Sequence, residues 1–126
     1  MATESKLAVL VVDDDPSVGA TMSRLVQAAG YEPIYVNSAV AALNRLETGS
    51  SRIVAVLTDL HMDGMDGLGL ARQISQQHPS MPVVLCSGDS GPSVDSLERQ
   101  VGVTAVLSKP VRFQRLVDLL SVLAKK

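Results

Sequence analysis

The chain has 126 residues, of which 46% are hydrophobic and only 2% aromatic, and its formal net charge is −2. This length predicts one domain, residues 1–126 with a core of about 6–124, and the composition supports a packed core of aliphatic side chains. The acidic balance gives no electrostatic case for binding nucleic acid or an anionic membrane, and no apolar run approaches the roughly 20 residues of a membrane span, so we expect a cytoplasmic protein.

Apolar runs alternate with amphipathic stretches along the chain. The apolar runs are short and rich in β-branched residues, which is typical of parallel strands that are covered on both faces. Strands are predicted at residues 7–12, 32–36, 53–58, 81–86 and 104–107. The intervening stretches carry apolar residues at helical spacing. Helices are predicted at residues 16–29, 39–48, 68–77, 92–101 and 113–124.

Individual residues fix the ends and surroundings of these elements. Asp15 fits the N-cap of the first helix, Pro16 fits its first turn, and Gly30 is placed to end it. Pro33 cannot donate to a strand ladder, which favours a position at the edge of the sheet for the second strand. The single cysteine, Cys86, lies within an apolar run, so we expect a buried thiol and no internal disulfide.

Five strand-then-helix units imply parallel strands, right-handed crossovers and helices on both faces of the sheet. We therefore predict an α/β fold, a three-layer α/β/α sandwich with a five-stranded parallel sheet. The flavodoxin-like strand order 2-1-3-4-5 is the preferred topology. It places the switch point between the first and third strands, at the carboxyl edge where ligands bind in open sheets of this kind.

Polar residues follow the predicted strands at this edge. Asp13 and Asp14 follow the first strand and Asp59 the third, and three neighbouring carboxylates would repel one another unless a divalent cation such as Mg²⁺ lay among them. Ser87 and Lys109 follow the fourth and fifth strands. A hydroxyl and an ammonium that face a carboxylate–metal site suit a phosphoryl dianion. Asp59 would then be the nucleophile that accepts a phosphoryl group.

Four motifs, each at the end of a predicted strand, carry a family resemblance. They are LVVDDDP at 10–16, TDLHMDGMDG at 58–67, LCSG at 85–88 and SKP at 108–110. From about residue 6 to residue 124 the chain resembles the receiver domain of two-component response regulators, and it is chemotaxis-regulator-like. One motif alone would be weak, but four in this order are highly specific.

The resemblance implies a signalling domain of a two-component phosphorelay rather than a conventional enzyme. Asp59 would accept a phosphoryl group from a phosphohistidine on a sensor histidine kinase or a histidine phosphotransfer protein. The domain would catalyse its own phosphorylation and slow dephosphorylation. Ser87 would be the switch hydroxyl, Lys109 would pair with the phosphoryl oxygens, and the Lys109–Pro110 peptide bond would be cis.

The resemblance also implies the metal ligands and the partners. Asp14, Asp59 and the backbone carbonyl of His61 would bind Mg²⁺ directly, while Asp13 would act largely through water. The output would be a separate effector or an output domain. The chain would be a monomer or a phosphorylation-linked dimer.

The sequence departs from the usual family pattern at a few positions. Val106 stands where Tyr or Phe is usual, which puts the familiar coupling between the hydroxyl and an aromatic rotamer in doubt. Asp63 stands where proline is frequent. His61 and Asp89 occupy positions that tune dephosphorylation in the family, although His61 fits a solvated loop residue equally well.

Two other functions are compatible with parts of this pattern. A phosphatase in the manner of haloacid-dehalogenase-like enzymes would also use Asp59 as nucleophile. Those enzymes usually carry a second aspartate where His61 stands here, and they add a cap domain for which 126 residues leave no room. A phosphorylation-independent interaction module of receiver fold is opposed by the intact set of five polar residues, although Val106 keeps this alternative open.

Overall fold

The computed structural model describes residues 6–88 and 93–125, and within these ranges strands and helices alternate strictly. The strands are β1 (Ala8–Val12), β2 (Glu32–Val36), β3 (Ile53–Asp59), β4 (Val83–Ser87) and β5 (Ala105–Ser108). The helices are α1 (Pro16–Ala28), α2 (Ala39–Thr48), α3 (Gly67–Gln77), α4 (Val94–Glu98) and α5 (Phe113–Leu123). In the described part of the chain, no helix has the length and apolar character needed to cross a membrane.

The five strands form one parallel sheet in the order β2-β1-β3-β4-β5, so the predicted flavodoxin-like topology is confirmed. Pro33 lies in the edge strand β2, as expected for a residue that lacks an N–H donor. The order reverses between β1 and β3. The register pairs Val12 with Thr58, so the residues that follow these two emerge side by side at the carboxyl edge.

The sheet is covered on both faces by helices. All five residues of β1 are buried, and their alternation sends Leu10 and Val12 into one cluster and Val9 and Val11 into the other. The first cluster includes side chains of α2 and α3, and the second includes side chains of α1 and α5. Full burial of one such aliphatic side chain contributes about 1.5–3 kcal/mol. The strand ends therefore project from a tightly packed frame.

The helix ends show why most predicted bounds are correct to within one residue. The Asp15 carboxylate caps α1 by accepting from the Ser17 N–H at 2.9 Å, and Gly30 ends the turn after α1 with φ of 103°. Asp66 caps α3 by accepting from the Gly69 N–H at 2.8 Å, so this helix begins one residue earlier than predicted.

Two predicted bounds are wrong by more than one residue. β4 begins at Val83 rather than residue 81, because Pro82 has no N–H and contributes only its carbonyl to β3. α4 ends at Glu98 rather than residue 101. Leu97 is its one buried residue, and the chain then turns so that Gly102 lies against the Ala71 carbonyl of α3. The predicted start of α4 at residue 92 lies outside the described residues.

Candidate functional site

Three carboxylates meet at the point where the strand order reverses. Asp13 and Asp14 follow β1, and Asp59 ends the neighbouring strand β3. One carboxylate oxygen from each of the three lies within 4.8 Å of the other two. The predicted acidic cluster is therefore present.

Asp13 is the buried member of this acidic cluster, with 4% of its surface exposed. Burial raises the pKa of its carboxyl, and the charges of Asp59 and Asp14 add to that effect, although the Asp15 N–H that donates to Asp13 Oδ1 at 2.9 Å acts in the opposite direction. Burial and the neighbouring charges thus disfavour the ionised form of Asp13. Oxygen donors of mixed burial at this spacing fit a hard divalent cation such as Mg²⁺.

Asp15 is separate from the acidic cluster, although it is adjacent in sequence. Its carboxylate accepts from both the N–H and the hydroxyl of Ser17, at 2.9 and 2.8 Å, and these bonds lower its pKa. The three consecutive aspartates therefore divide into two cluster residues and one helix cap, as the sequence predicted.

Lys109 supplies the positive charge at the site. Its Nζ donates to Asp59 Oδ1 at 2.6 Å, and its backbone N–H donates to the Ser87 carbonyl at 2.8 Å, which fixes the loop after β5 to β4. Burial alone would lower the pKa of the Lys109 ammonium, but the hydrogen bond with Asp59 and the charges of Asp59 and Asp13 outweigh burial and raise it. Lys109 is therefore positively charged near neutral pH, and its bond to Asp59 holds that charge in place. The Lys109–Pro110 bond is cis, as predicted.

Ser87 ends β4, the strand next to Asp59, and is buried. Its register partner is Ser108, the residue before Lys109. In the described residues its hydroxyl donates to the adjacent Gly88 carbonyl at 3.3 Å. This distance is longer than is usual for an O–H···O bond, so the bond is weak.

The loop between β3 and α3 is held by backbone contacts. Gly67 N–H donates to the Leu60 carbonyl at 2.8 Å, and a Cβ at Gly67 would overlap the Asp59 carbonyl. Asp63 N–H donates to Asp14 Oδ2 at 3.0 Å, which joins this loop to the one after β1. His61 is exposed in the same loop. Asp89, the other predicted tuning residue, lies outside the described residues.

Tyr35 is a site neighbour that the sequence analysis missed. Its hydroxyl donates to the Asp13 carbonyl at 2.7 Å, and its ring lies where a Cβ on Gly19 would be. Burial and then the charge of Asp13 raise the pKa of Tyr35. The available signal was a tyrosine in the edge strand opposite Val11, two residues before the acidic cluster, together with a glycine on the facing helix.

Two apolar neighbours complete the surroundings of the site. Val106 is buried in a small cluster with Leu60, Leu85 and Leu97, so the position that is usually aromatic in the family is part of the core here. Cys86 pairs with Asp59 in the sheet and is buried, which confirms the predicted environment. Desolvation raises the pKa of its thiol to about 12, so it remains protonated and unreactive near neutral pH.

Comparison with known proteins agrees with this geometry. The family model for the response regulator receiver domain matches residues 9–121. The sensory/regulatory protein RpfC of Xanthomonas campestris pv. campestris (strain 8004) is 34% identical over 122 residues, which cover 94% of this chain but 16% of that protein. The DNA-binding transcriptional regulator NtrC of Klebsiella pneumoniae is 33% identical over 109 residues, which cover 86% of this chain and 23% of that protein. The chain thus spans less than a quarter of the length of these curated relatives.

A solved structure shares the whole architecture. The response regulator receiver domain protein from Clostridium thermocellum superposes with a TM-score of 0.84 at 25% sequence identity, and the match covers 93% of both chains. The predicted fold class and the predicted family resemblance are both confirmed by these matches.

Proposed function

The chain belongs to the response regulator receiver domain family, and from this premise we propose that it is a phosphorylation switch whose phosphoacceptor is Asp59. The donor is a phosphohistidine on a sensor histidine kinase or a histidine phosphotransfer protein. One observation carries the proposal: Asp59 is the member of the acidic cluster whose carboxylate also accepts a hydrogen bond from the Lys109 ammonium. A nucleophilic carboxylate between a cation site and a fixed ammonium suits phosphoryl transfer.

In the transfer step, a carboxylate oxygen of Asp59 attacks phosphorus in line with the phosphorus–nitrogen bond of the donor histidine. The new phosphorus–oxygen bond forms as the old bond breaks. The imidazole nitrogen keeps the bonding electron pair and takes a proton from solvent. Lys109 holds Asp59 through Oδ1 beforehand, so the nucleophile is oriented before the donor arrives.

The acidic cluster supports this step by holding a metal ion. Asp14, Asp59 and the backbone carbonyl of His61 would bind Mg²⁺ directly, and buried Asp13 would act through water. When bound, Mg²⁺ supplies positive charge that offsets the charge of the phosphoryl oxygens. The raised pKa of Asp13 is consistent with this assignment, because burial and then the charges of Asp59 and Asp14 raise it despite the nearby Lys109 ammonium, and a bound cation would offset these effects.

Ser87 and Lys109 convert the modification into a change of state. After transfer, the Lys109 ammonium faces the phosphoryl group that its former partner carries, and the Ser87 hydroxyl exchanges the Gly88 carbonyl for a phosphoryl oxygen. Such new bonds shift a pre-existing equilibrium rather than create a new fold. Slow hydrolysis of the phosphoaspartate resets the switch, and exposed His61 is placed to affect its rate.

The wider setting is part of the same proposal. Residues 6–124 act as one receiver domain in the cytoplasm, as a monomer or a phosphorylation-linked dimer. The output is an effector or an output domain. The family membership supports this assignment. Two kinds of partner follow from the chemistry: a protein that donates a phosphoryl group from phosphohistidine, and an effector that distinguishes the phosphorylated from the unphosphorylated domain.

Incubation with Mg²⁺ and acetyl phosphate tests the proposal. Intact-mass spectrometry should show one added phosphoryl group that hydroxylamine removes. Asp59→Asn should abolish the adduct, whereas Asp63→Ala, which removes a carboxylate from the same loop, should retain it. An adduct that survives Asp59→Asn, or the absence of any adduct on the native chain, contradicts the assignment. Rapid multiple turnover would instead indicate a phosphatase.

A further inference from the structure

One hydrogen bond links the two loops that carry the acidic cluster. The backbone N–H of Asp63 donates to Asp14 Oδ2 at 3.0 Å, between residues 49 positions apart in the chain. The other cluster carboxylates are held differently, since Asp13 accepts from its near neighbour Asp15 and Asp59 accepts from Lys109. Among the hydrogen bonds of the described residues, the Asp63 N–H is the group that fixes the Asp14 side chain.

This bond matters because Asp14 is exposed. An exposed carboxylate samples several rotamers, and binding a cation would require one of them to be fixed. The N–H of Asp63 already fixes the Asp14 carboxylate through Oδ2. The remaining acceptor sites of the carboxylate stay available, because each oxygen carries two lone pairs.

We propose that the backbone N–H of Asp63 acts as a latch. Its hydrogen bond holds the Asp14 carboxylate in position to bind the divalent cation and ties the loop between β3 and α3 to the loop after β1. The latch rests on the proposed metal site, and it makes Asp63 a positioning residue through its main chain. The exposed side chain of Asp63 takes no part. Every residue type except proline can supply this donor.

A matched pair of substitutions separates the effect of the Asp63 carboxylate from that of its backbone N–H. Asp63→Ala and Asp63→Pro both remove the carboxylate, but only Asp63→Pro removes the N–H. Titration with Mg²⁺ alone, followed by calorimetry or NMR, should give Asp63→Ala an affinity within about twofold of the native chain. Asp63→Pro should bind about fivefold more weakly than Asp63→Ala, since one hydrogen bond contributes on the order of 1 kcal/mol, which corresponds to that factor. Equal affinities, or tighter binding by Asp63→Pro, would overturn the latch.

The phosphorylation rate gives a second readout. With acetyl phosphate at subsaturating Mg²⁺, Asp63→Pro should react more slowly than Asp63→Ala, and the two rates should converge when Mg²⁺ is saturating. A difference that persists at saturation would show that the loop acts on Asp59 directly and would overturn the assignment to Asp14. If the native chain formed no adduct, the proposed function would fail, yet the Mg²⁺ titration would still decide the latch. A native chain that binds no Mg²⁺ would overturn it.

A measurement on the native backbone covers the case in which Asp63→Pro does not fold. The amide proton of Asp63 should exchange at least about fivefold faster in Asp14→Ala than in the native chain, because that substitution removes the acceptor. The amide of Ala8, which begins β1 and donates to the Arg52 carbonyl, lies at the other end of this strand and should keep its exchange rate. An Asp63 amide that is equally fast in both proteins would contradict the hydrogen bond itself.

Discussion

Substitution of Gly67 by alanine is expected to strain the backbone at the end of β3, next to the acidic cluster. Gly67 opens α3, and a Cβ there would overlap the Asp59 carbonyl and lie 3.0 Å from both Leu60 Cα and Leu85 Cδ2. Two of these neighbours are backbone atoms, which cannot rotate away as a side chain could. The end of β3 and the loop after it must therefore shift, and the 2.8 Å bond from Gly67 N–H to the Leu60 carbonyl must lengthen.

The expected loss of stability combines two destabilising contributions and one stabilising contribution. Overpacking a close contact costs about 1–3 kcal/mol, and weakening one hydrogen bond costs about 1 kcal/mol. Replacing glycine by alanine returns at most about 1 kcal/mol of helix propensity. The free energy of unfolding should therefore fall by about 2 kcal/mol, which for a domain of this size lowers Tm by about 6–10 °C.

Urea unfolding followed by circular dichroism measures this change, and Gly88→Ala is the matched control. Gly88 follows β4 at the same sheet edge, but apart from its chain neighbours no atom of the described residues lies within 4 Å of the Cβ that alanine would add. Gly88→Ala should change the free energy of unfolding by less than about 0.5 kcal/mol. An unfolding midpoint of Gly67→Ala equal to that of the native chain, or an equal loss of stability in both variants, would contradict the expected clash.

Three further outcomes follow from contacts at the site. Tyr35→Phe removes the donor to the Asp13 carbonyl and should lower the free energy of unfolding by about 0.5–1.5 kcal/mol in urea titrations; an unchanged midpoint would contradict that bond. Cys86 is buried and its thiol has a pKa of about 12. At about pH 8 a thiol reagent should therefore label the native chain far more slowly than the urea-unfolded chain. Equal labelling rates would show that the reagent reaches the core of the native chain. The pKa of Asp13 is raised in the folded state, so the folded chain binds its proton more tightly. Without Mg²⁺, the free energy of unfolding should therefore fall as the pH rises above about 4. Asp13→Asn keeps the acceptor for Asp15 N–H but cannot ionise, and it should be more stable than the native chain at about pH 7 in EDTA; lower stability would mean that the anion is compensated.

Much of the fold and the site could be predicted because the decisive signals are local. A short β-branched run that ends in aspartate identifies a buried parallel strand and its carboxyl end together. Once the strand order is fixed, Asp13 and Asp59 must emerge side by side. The acidic cluster and the position of Lys109 therefore follow from pattern and topology.

The features that were not predicted from the sequence depend on contacts with backbone atoms of residues far away in the chain. The end of α4 is set by Leu97, its one buried side chain, and by the close approach of Gly102 to Ala71. The spacing of apolar residues in the sequence does not indicate such a close contact between two segments. The bond from Asp63 N–H to Asp14 is equally hidden, because its donor is a main-chain group that nearly every residue type possesses.

The position of Tyr35 gives the chain an internal optical reporter. The sequence contains no tryptophan and two tyrosines. Tyr31 is half-buried against the core cluster that includes α1 and α5, whereas the Tyr35 hydroxyl is bonded to the backbone of Asp13. The near-ultraviolet absorbance and emission of the two phenols overlap, so Tyr31→Phe would leave Tyr35 as the sole reporter of its contact with the Asp13 backbone. Events at the loop after β1 could then be followed on the protein without an added label.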